Sequence, residues 1–244
     1  MHPSDAEQGE ICFRGRNVML GYLAGFDGSD AETTRLKNAE CFTRDGYFRS
    51  GDRGCCSDTG MFCITGRFSE LIETAAGAYV SPVPIEEAVA QRAPAVSKVV
   101  LIGDNLPFIV ALVTLPLKGA SSERPGNGQL TGMALHFSAD TSTVEQAMDD
   151  PLWHAYLSAA FDAVNHDKIV CRSAACRVQI FTIVPSDFSL QGDELTPALK
   201  VKRAYIAQKF KRNIADLCAD HMKNVGSPAQ IMPVEYVRWK EYLV

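Results

Sequence analysis

The sequence predicts an α+β fold built around a small sheet, and three features support this prediction. Two short β segments within residues 47–67 flank a Ser-Asp-Thr-Gly turn, a pattern typical of a hairpin. β-branched and apolar runs at 96–102 and 108–115, separated by Gly-Asp-Asn, indicate two paired strands. Residues 151–166 place apolar side chains at intervals of three and four, which predicts an amphipathic helix. Since strands and helices alternate without an even βαβ rhythm, the pattern favours α+β over a doubly wound sheet.

The first third of the chain is expected to be rich in β structure. Residues 9–23 indicate a strand followed by a turn and a short helix, and residues 36–45 indicate a mostly polar linker and turn. After the hairpin, the prolines within 81–84 are expected to break the chain. A helix is then predicted over 85–91, because two leading glutamates suit the amino end of a helix.

The remaining elements are mostly helices. The composition of 119–132 predicts a flexible loop, and helices are predicted over 142–148, 151–166 and 204–222. A strand is predicted over 176–184, ending at a proline, and residues 224–244 receive no assignment. The apolar face predicted for the helix at 151–166 consists of Leu152, Tyr156, Ala159, Ala160 and Ala163.

Composition excludes several classes of protein. The 244 residues carry a net charge of -5, which gives no argument for nucleic-acid binding. No apolar run approaches the roughly 18 residues that span a bilayer, and the polar first residues do not form a signal peptide. The eight cysteines lack a C-x-x-C pair, and the chain is long enough to bury a core, so we expect reduced thiols and no metal site.

Asp52 and Arg67 are the first candidates for chemistry. Alone, Asp52 is a turn aspartate that bonds its own backbone, and Arg67 is a solvated arginine. Together, a carboxylate and a guanidinium can hold a vicinal diol, because the carboxylate accepts from the hydroxyls and the arginine donates. A ribose is such a diol.

Two further turns contain candidates. Gly77 is explained by a β-turn, and small residues there also allow a ligand to approach the backbone closely. Lys200, Lys202 and Arg203 are explained by a solvated cationic stretch before a helix. The histidines form no site that is visible in the sequence, and His154 is expected at the surface or at a boundary of the helix at 151–166.

Two segments resemble motifs of the adenylate-forming acyl-CoA synthetases. They are YFRSGDRGCCSDTGMFCITGRFSELIETAAGAYVSPVPIEE at 47–87 and GDELTPALKVKR at 192–203. The stretch PSDFSLQGDELTPALKVKR is the most specific, and it is similar to the bubblegum-type long-chain acyl-CoA synthetases. The resemblance covers most of residues 9–214. No segment of the YTSGTTG kind, which holds the phosphates of ATP in this family, occurs in the sequence.

The resemblance implies roles for five residues. Asp52 and Arg67 would bind the ribose of ATP and of the acyl-adenylate. Ser69 stands at the family's hinge, where lysine or aspartate is usual. Gly77 lies in the loop that serves CoA, which reads Ala-Gly-Ala here and Gly-Gly-Glu in many relatives. Lys200 aligns with the catalytic lysine, while Lys202 and Arg203 are expected to stay on the surface.

The resemblance also implies a domain organisation. Residues 1–67 would be a β-rich remnant of a large amino-terminal AMP-binding domain, followed at 68–223 by a mobile α+β lid domain and at 224–244 by an unassigned tail. The implied substrates are a long-chain fatty acid, ATP and CoA, with Mg²⁺ ligands and the rest of the amino-terminal domain outside this chain. The implied location is cytoplasmic, with peripheral association of the full enzyme with the endoplasmic reticulum or another membrane.

Two alternatives remain open. The absence of a phosphate loop favours a remnant that binds a nucleotide or a partner and catalyses nothing. An adenylating ligase for another carboxylic acid is the second alternative, although the LTPALKVKR ending argues against it.

Overall fold

The computed structural model describes residues 8–25, 30–138, 140–225 and 234–238. The chain divides into two compact units, Met1–Leu71 and Ile72–Val244. The predicted boundary after residue 67 lies close to this division, and the assignment of each part to a domain of a larger enzyme stays a prediction. Most of the unassigned tail, including 226–233 and 239–244, lies outside the described residues.

The first unit is a three-stranded antiparallel sheet with one helix. Its strands are β1 (Gly9–Phe13), β2 (Phe48–Cys56) and β3 (Phe62–Arg67), in the order β1-β2-β3, and α1 (Ala31–Cys41) precedes β2. The predicted hairpin of β2 and β3 is confirmed. The predicted linker at 36–45 is wrong, because α1 occupies its first half. No residue of α1 is buried, so the helix has no apolar periodicity by which the sequence could reveal it.

The predicted short helix within residues 9–23 is also wrong. After β1 the described chain continues through a turn and a bend, with no helix before α1. In this unit, among the residues that the structure describes, Cys55 has the only buried apolar side chain. Large apolar side chains of the unit instead face solvent, including those of Leu20, Leu23, Met61, Phe62 and Ile64. Within its described residues, 8–25 and 30–71, the first unit therefore lacks a hydrophobic core of its own.

The second unit contains a four-stranded mixed sheet. The strands β6 (Lys98–Ile102), β7 (Ile109–Thr114), β8 (Val178–Ile183) and β9 (Glu235–Tyr236) lie in the order β6-β7-β8-β9. The β6 and β7 strands pair antiparallel, as predicted, whereas β7 with β8 and β8 with β9 pair parallel. A separate two-stranded ribbon consists of β4 (Ile72–Glu73) and β5 (Tyr79–Val80).

Six helices accompany this sheet in the described part of the second unit. They are α2 (Pro82–Arg92), α3 (Gly132–Phe137), α4 (Val144–Asp149), α5 (Pro151–His166), α6 (Arg203–Lys209) and α7 (Lys211–Val225). Helix α2 begins earlier than predicted because proline is well suited to the first helical position, where its missing N–H has no partner to lose. The single helix predicted over 204–222 is two helices that meet at Phe210.

The buried face of α5 differs from the prediction. Its bounds are as predicted, but the buried side chains are those of Trp153, Leu157, Ala160, Phe161, Val164 and Asn165. Of the predicted face, Leu152 is 60% exposed. The two candidate faces have the same spacing and lie one residue apart, so spacing alone did not separate them. The buried face joins β6, β7 and β8 in one continuous core.

Several global features bear on the class of protein. All eight cysteines are free thiols. Within the described residues, no helix combines the length and the apolarity needed to cross a membrane. In the same part of the chain, no group of three or more His, Cys, Asp or Glu side chains is arranged to hold a metal ion.

Candidate functional site

Asp52 and Arg67 are brought together by the hairpin of the first unit. The two residues are direct partners in the register of β2 and β3. Arg67 Nε donates a hydrogen bond to Asp52 Oδ1 at 2.8 Å, and the two side chains are 48% and 24% exposed. The sequence prediction that a carboxylate and a guanidinium converge here is therefore met by the geometry, while their role in ribose binding stays a prediction.

A bulge in β2 sets the position of Asp52. The register of β1 against β2 shifts at this point, and Gly51 has a φ of 72°, in the left-handed region that favours glycine. Ser50 Oγ accepts a hydrogen bond from Asp52 N at 3.0 Å and donates one to Ile11 O at 2.6 Å. Glu10 Oε1 accepts from Gly51 N at 3.1 Å. Hydrogen bonds to Glu10 and Ile11 of β1, together with the side chain of Ser50, therefore fix the backbone around Asp52.

The pair is suited to a polar, hydroxylated ligand. Both side chains reach solvent, so a ligand can replace part of their mutual contact without burying an unpaired charge. The carboxylate can accept from two hydroxyls, and the guanidinium keeps further N–H groups to donate. A vicinal diol matches this set of donors and acceptors.

Ser69 lies close to the division between the two units. It is exposed within the 3₁₀ turn Phe68–Glu70, which ends just before Leu71, the last residue of the first unit. A hinge residue needs only to absorb a backbone rotation. Its position is compatible with that role, which stays a prediction.

Gly77 occupies the tight turn that joins β4 to β5. Its φ is 74°, and its N–H donates to Thr74 O at 2.8 Å. Thr74 is buried and closes the turn, with Thr74 N donating to Ala78 O at 3.0 Å and Thr74 Oγ1 accepting from Ala78 N at 3.2 Å. A Cβ atom built on Gly77 would meet nothing within 4 Å. The turn conformation, rather than crowding within the chain, requires glycine here, and the space beside it is open.

Lys200 lies in a second tight turn, at the base of which Leu195 and Val201 form an antiparallel bridge. Thr196 closes the turn, since Thr196 N donates to Lys200 O at 2.8 Å and Thr196 Oγ1 accepts from Lys200 N at 3.1 Å. Leu199 has a φ of 61°, a left-handed conformation that is rare for a bulky side chain. Strain of this kind is found at functional sites, where the surrounding structure maintains it.

A buried carboxylate anchors the base of the Lys200 turn. The side chain of Glu194 is 5% exposed and accepts from Lys209 Nζ at 2.6 Å and from Ser189 N at 3.1 Å. Its backbone oxygen accepts from Lys202 N at 2.8 Å. The turn is therefore held to α6 through Lys209, and neither Glu194 nor Leu199 was singled out from the sequence. Two adjacent acidic residues, Asp193 and Glu194, are a common surface pattern, so the sequence carried no signal for the burial of Glu194.

The cations beside Lys200 have partners. Lys202 Nζ lies 3.3 Å from Asp193 Oδ1. Arg203 forms a bidentate ion pair with Glu86 and donates to Leu101 O at 2.7 Å. The expectation that Arg203 stays on the surface is wrong, because its side chain is 15% exposed and joins α6 to α2 and β6. Within the described part of the chain, the exposed side chain of Lys200 has no hydrogen-bond or ion-pair partner.

Comparison with protein families gives an independent result. Residues 69–135 match the model of the AMP-binding enzyme C-terminal domain. The chain is 36% identical over 90% of its length to the long-chain-fatty-acid–CoA ligase ACSBG2 of Gallus gallus. It is 34% identical over 88% of its length to ACSBG2 of Homo sapiens, and 35% identical over 83% to ACSBG1 of Rattus norvegicus. Over most of its length, the chain is therefore similar to the bubblegum-type long-chain acyl-CoA synthetases.

The chain spans less than a third of the length of these relatives. The matched region is 28% of the Gallus gallus protein and 30% of the human one. The resemblance inferred from residues 47–87 and 192–203 is confirmed, and the family is one of adenylate-forming ligases.

Solved structures support the same fold. The chain superposes on the adenylation domain of the carboxylic acid reductase of Segniliparus rugosus, which was solved with AMP and a carboxylic acid, with a TM-score of 0.63 and 18% identity. For the corresponding domain from Mycobacterium chelonae, the TM-score is 0.64 and the identity 19%. These matches cover 88% and 87% of this chain, and 28% of each of the two proteins. They confirm the predicted α+β fold of the chain.

Proposed function

We propose that this chain is the carboxy-terminal portion of an ATP-dependent long-chain fatty acid–CoA ligase. The observation that carries the proposal is the Lys200 turn. Of the three cations at its base and end, Lys202 and Arg203 are paired within the chain, while Lys200 keeps its charge for a ligand. The named activity of the curated relatives supports a long-chain fatty acid as the substrate.

In the first half-reaction, a fatty carboxylate oxygen attacks the α-phosphorus of ATP, and pyrophosphate leaves. Negative charge concentrates between the carboxylate and the phosphate as they approach each other. The ammonium group of Lys200, on an exposed turn, is proposed to neutralise this charge in the transition state. A compact point charge on a flexible stem suits this position better than a planar guanidinium.

In the second half-reaction, the thiol of CoA attacks the acyl carbonyl carbon of the adenylate, and AMP leaves. We assign Asp52 and Arg67 to the ribose of the nucleotide in both steps, because their polar groups match a vicinal diol. The open space beside Gly77 is proposed to admit the pantetheine arm of CoA close to the backbone. Ser69 is proposed as the hinge between the two half-reactions.

No residue of this chain is assigned to Mg²⁺. Within the described ranges, no cluster of carboxylate, imidazole or thiolate side chains offers a metal site. The Mg²⁺ that accompanies ATP is therefore proposed to be held by residues outside this chain.

The Lys200 assignment is tested in a chimaeric enzyme in which this chain replaces the matching segment of the Gallus gallus relative. Lys200→Ala is expected to lower oleate-dependent pyrophosphate release by about 10²- to 10³-fold, because a charge aimed at the transition state is lost. Conversion of preformed oleoyl-AMP to oleoyl-CoA should be preserved. Lys202→Ala is the matched control and should change both rates little. Greater damage from Lys202→Ala would show that the wrong lysine has been assigned.

A second candidate function is nucleotide binding without catalysis, which the lack of a YTSGTTG-type segment favours for the chain by itself. The 244-residue chain alone, given oleate, ATP, Mg²⁺ and CoA, is expected to release no pyrophosphate, since it offers no cradle for the β- and γ-phosphates. Turnover at ordinary synthetase rates would contradict this expectation. A chimaera that also fails with oleate but adenylates a short or aromatic acid would favour a ligase for another acid.

We also propose that the longer enzyme works in the cytoplasm, with peripheral association at the cytosolic face of the endoplasmic reticulum or another membrane. The apolar character of a long-chain substrate supports this location, because such acids partition into bilayers. Fractionation of cells that express a tagged full-length protein tests it, and recovery entirely within an organelle lumen would contradict it.

A further inference from the structure

Two thiols contact the same residue, Ser173, in the connection between α5 and β8. Cys171 Sγ lies 3.6 Å from Ser173 O, and Cys176 Sγ lies 3.4 Å from Ser173 Oγ. Each of the two thiols also shifts the pKa of the other. The 3₁₀ turn Ala174–Cys176 folds the intervening residues back, so that thiols five positions apart share one residue as a neighbour.

The two thiols differ in exposure and in acidity. Cys171 is 6% exposed, while Cys176 is partly exposed to solvent. The neighbouring Cys171 thiol lowers the pKa of Cys176, against the opposing effect of burial, and contacts with Ser173 lower it further. The neighbouring Cys176 thiol, together with burial, raises the pKa of Cys171; Arg177 lowers and Asp167 raises the pKa of that thiol. Cys176 is therefore the more acidic thiol of the pair.

Another buried cysteine of this unit provides a contrast. Burial alone raises the pKa of Cys218 to about 11. A buried thiol with a raised pKa is chemically inert, whereas a partly exposed thiolate beside a second thiol is the arrangement found in redox-active pairs. The Cys171–Cys176 pair therefore has a chemical character that packing alone does not require.

We propose that Cys176 and Cys171 form a modification site for small hydroperoxides, with Cys176 as the nucleophile and Cys171 as the resolving thiol. The Cys176 thiolate attacks one oxygen of the O–O bond, an alcohol or water leaves with a proton, and Cys176 becomes a sulfenic acid. Cys171 then attacks the Cys176 sulfur, and its proton leaves with the hydroxyl group as water. Two thiols are oxidised to one disulfide, and one hydroperoxide is reduced to an alcohol and water.

The position of the pair connects it to the Gly77 turn. The 3₁₀ turn Ala174–Cys176 packs against β5, the strand that follows Gly77. Disulfide formation would fix Cys176 to Cys171 and alter this contact. The modification site itself is independent of the proposed ligase function, whereas any effect on CoA use through the Gly77 turn depends on that function.

Trypsin provides a direct test of the disulfide. Cleavage after Lys168, Arg172 and Arg177 separates the two cysteines into peptides 169–172 and 173–177. After treatment of the purified 244-residue chain with hydrogen peroxide and digestion without reductant, mass spectrometry should find these two peptides covalently linked, with a combined mass lower by two hydrogen atoms. Reduction with dithiothreitol should separate them again.

Two variants sharpen the test. Cys171→Ser removes the resolving thiol, so Cys176 should accumulate as a sulfenic acid that dimedone traps, and the linked peptide should be absent. Cys218→Ser is the matched control and should leave the linkage unchanged. Peptides that stay unlinked in the unaltered chain, or a Cys176 linked instead to another cysteine, would overturn the proposal.

Hydrogen exchange then tests the consequence at the turn. Amide exchange in a peptide covering residues 74–80 is expected to change when the disulfide forms and to return to its starting value after reduction. A disulfide that forms without this change would refute the connection to the Gly77 turn and leave the modification site established.

Discussion

The stretch Lys200–Arg203 shows how environment separates residues that look alike in the sequence. Three cations within four positions have the same appearance in the sequence, and the family resemblance alone selected Lys200. In the structure, Lys202 pairs with Asp193, and Arg203 pairs with Glu86 in a mostly buried contact. Removing one partner from such a buried pair is strongly destabilising, so Arg203 has a structural role. The exposed ammonium group of Lys200 remains available to a ligand.

The contact between Asp52 and Arg67 contributes little to folding, because it is exposed to solvent. Surface ion pairs of this kind contribute about 0 to 1 kcal/mol to stability. Its value to the protein would then lie in ligand binding, where hydrogen bonds to charged groups contribute roughly 1.5 to 3 kcal/mol.

We therefore predict that Arg67→Ala in the chimaeric enzyme raises the dissociation constant for AMP by roughly 10- to 100-fold, the range that such an energy implies. Isothermal titration calorimetry measures this constant. Arg49→Ala is the matched control, because Arg49 on the neighbouring strand β2 also pairs with a carboxylate, that of Glu10, and is 52% exposed. Equal losses in the two variants would show that the effect is structural and would contradict the ribose assignment.

At the scale of single elements, α5 allows a test of the observed face against the predicted one. Leu157 is fully buried in the core, while Leu152, five positions earlier, is 60% exposed. Leu157→Ala is expected to destabilise the chain by about 2 to 5 kcal/mol, because it removes buried methyl groups and leaves a cavity. Leu152→Ala should stay within about 0.5 kcal/mol of the unaltered chain. Urea unfolding followed by circular dichroism measures the free energy of unfolding of both variants. A larger loss for Leu152→Ala than for Leu157→Ala would support the face predicted from the sequence.

The elements that the sequence predicted well are those whose burial leaves a periodic pattern. The hairpin of β2 and β3, the pair β6 and β7, and the bounds of α5 belong to this group. Helix α1 has no buried residue, so it lacks such a pattern. The apolar spacing continues from α6 into α7 across Phe210, so nothing in the sequence indicates that the helix breaks there. Hydrophobic periodicity in a sequence reveals helices and strands that have a buried face, and it does not reveal those without one.

The candidate site was predictable to a similar extent. The pairing of Asp52 with Arg67 follows from a hairpin that the sequence reveals, so the two residues could be placed together in advance. The burial of Glu194 depends on contacts with Ser189 and Lys209, and the left-handed backbone of Leu199 belongs to the turn that Thr196 closes. Contacts of this kind leave no local pattern, so sequence reasoning did not find them.

At the scale of the whole chain, the two units differ in how their stability arises. The hydrophobic core of the described residues lies entirely in the second unit, from Ile72 onward. The first unit relies on strand pairing and a few polar contacts, while Phe62 and Ile64 of β3 are 69% and 67% exposed. Exposed apolar faces of this kind mark interaction surfaces. Burial of apolar area is the dominant stabilising term, so the first unit should be the weaker of the two.

Limited proteolysis of the 244-residue chain tests this difference. We predict early cleavage within the first unit and near Ser69, since local opening is easiest where few apolar contacts must be broken. Trypsin can cut after Arg53 and Arg67 in this region, and a fragment that begins at Phe68 should persist through the digestion. Chymotrypsin, which can cut after Phe62 and Phe68, is the control for protease specificity and should leave a fragment that begins close to the same residue. Equal resistance along the whole chain, or early cuts within β6 or β7, would contradict both the boundary and the claim that the second unit carries the stability.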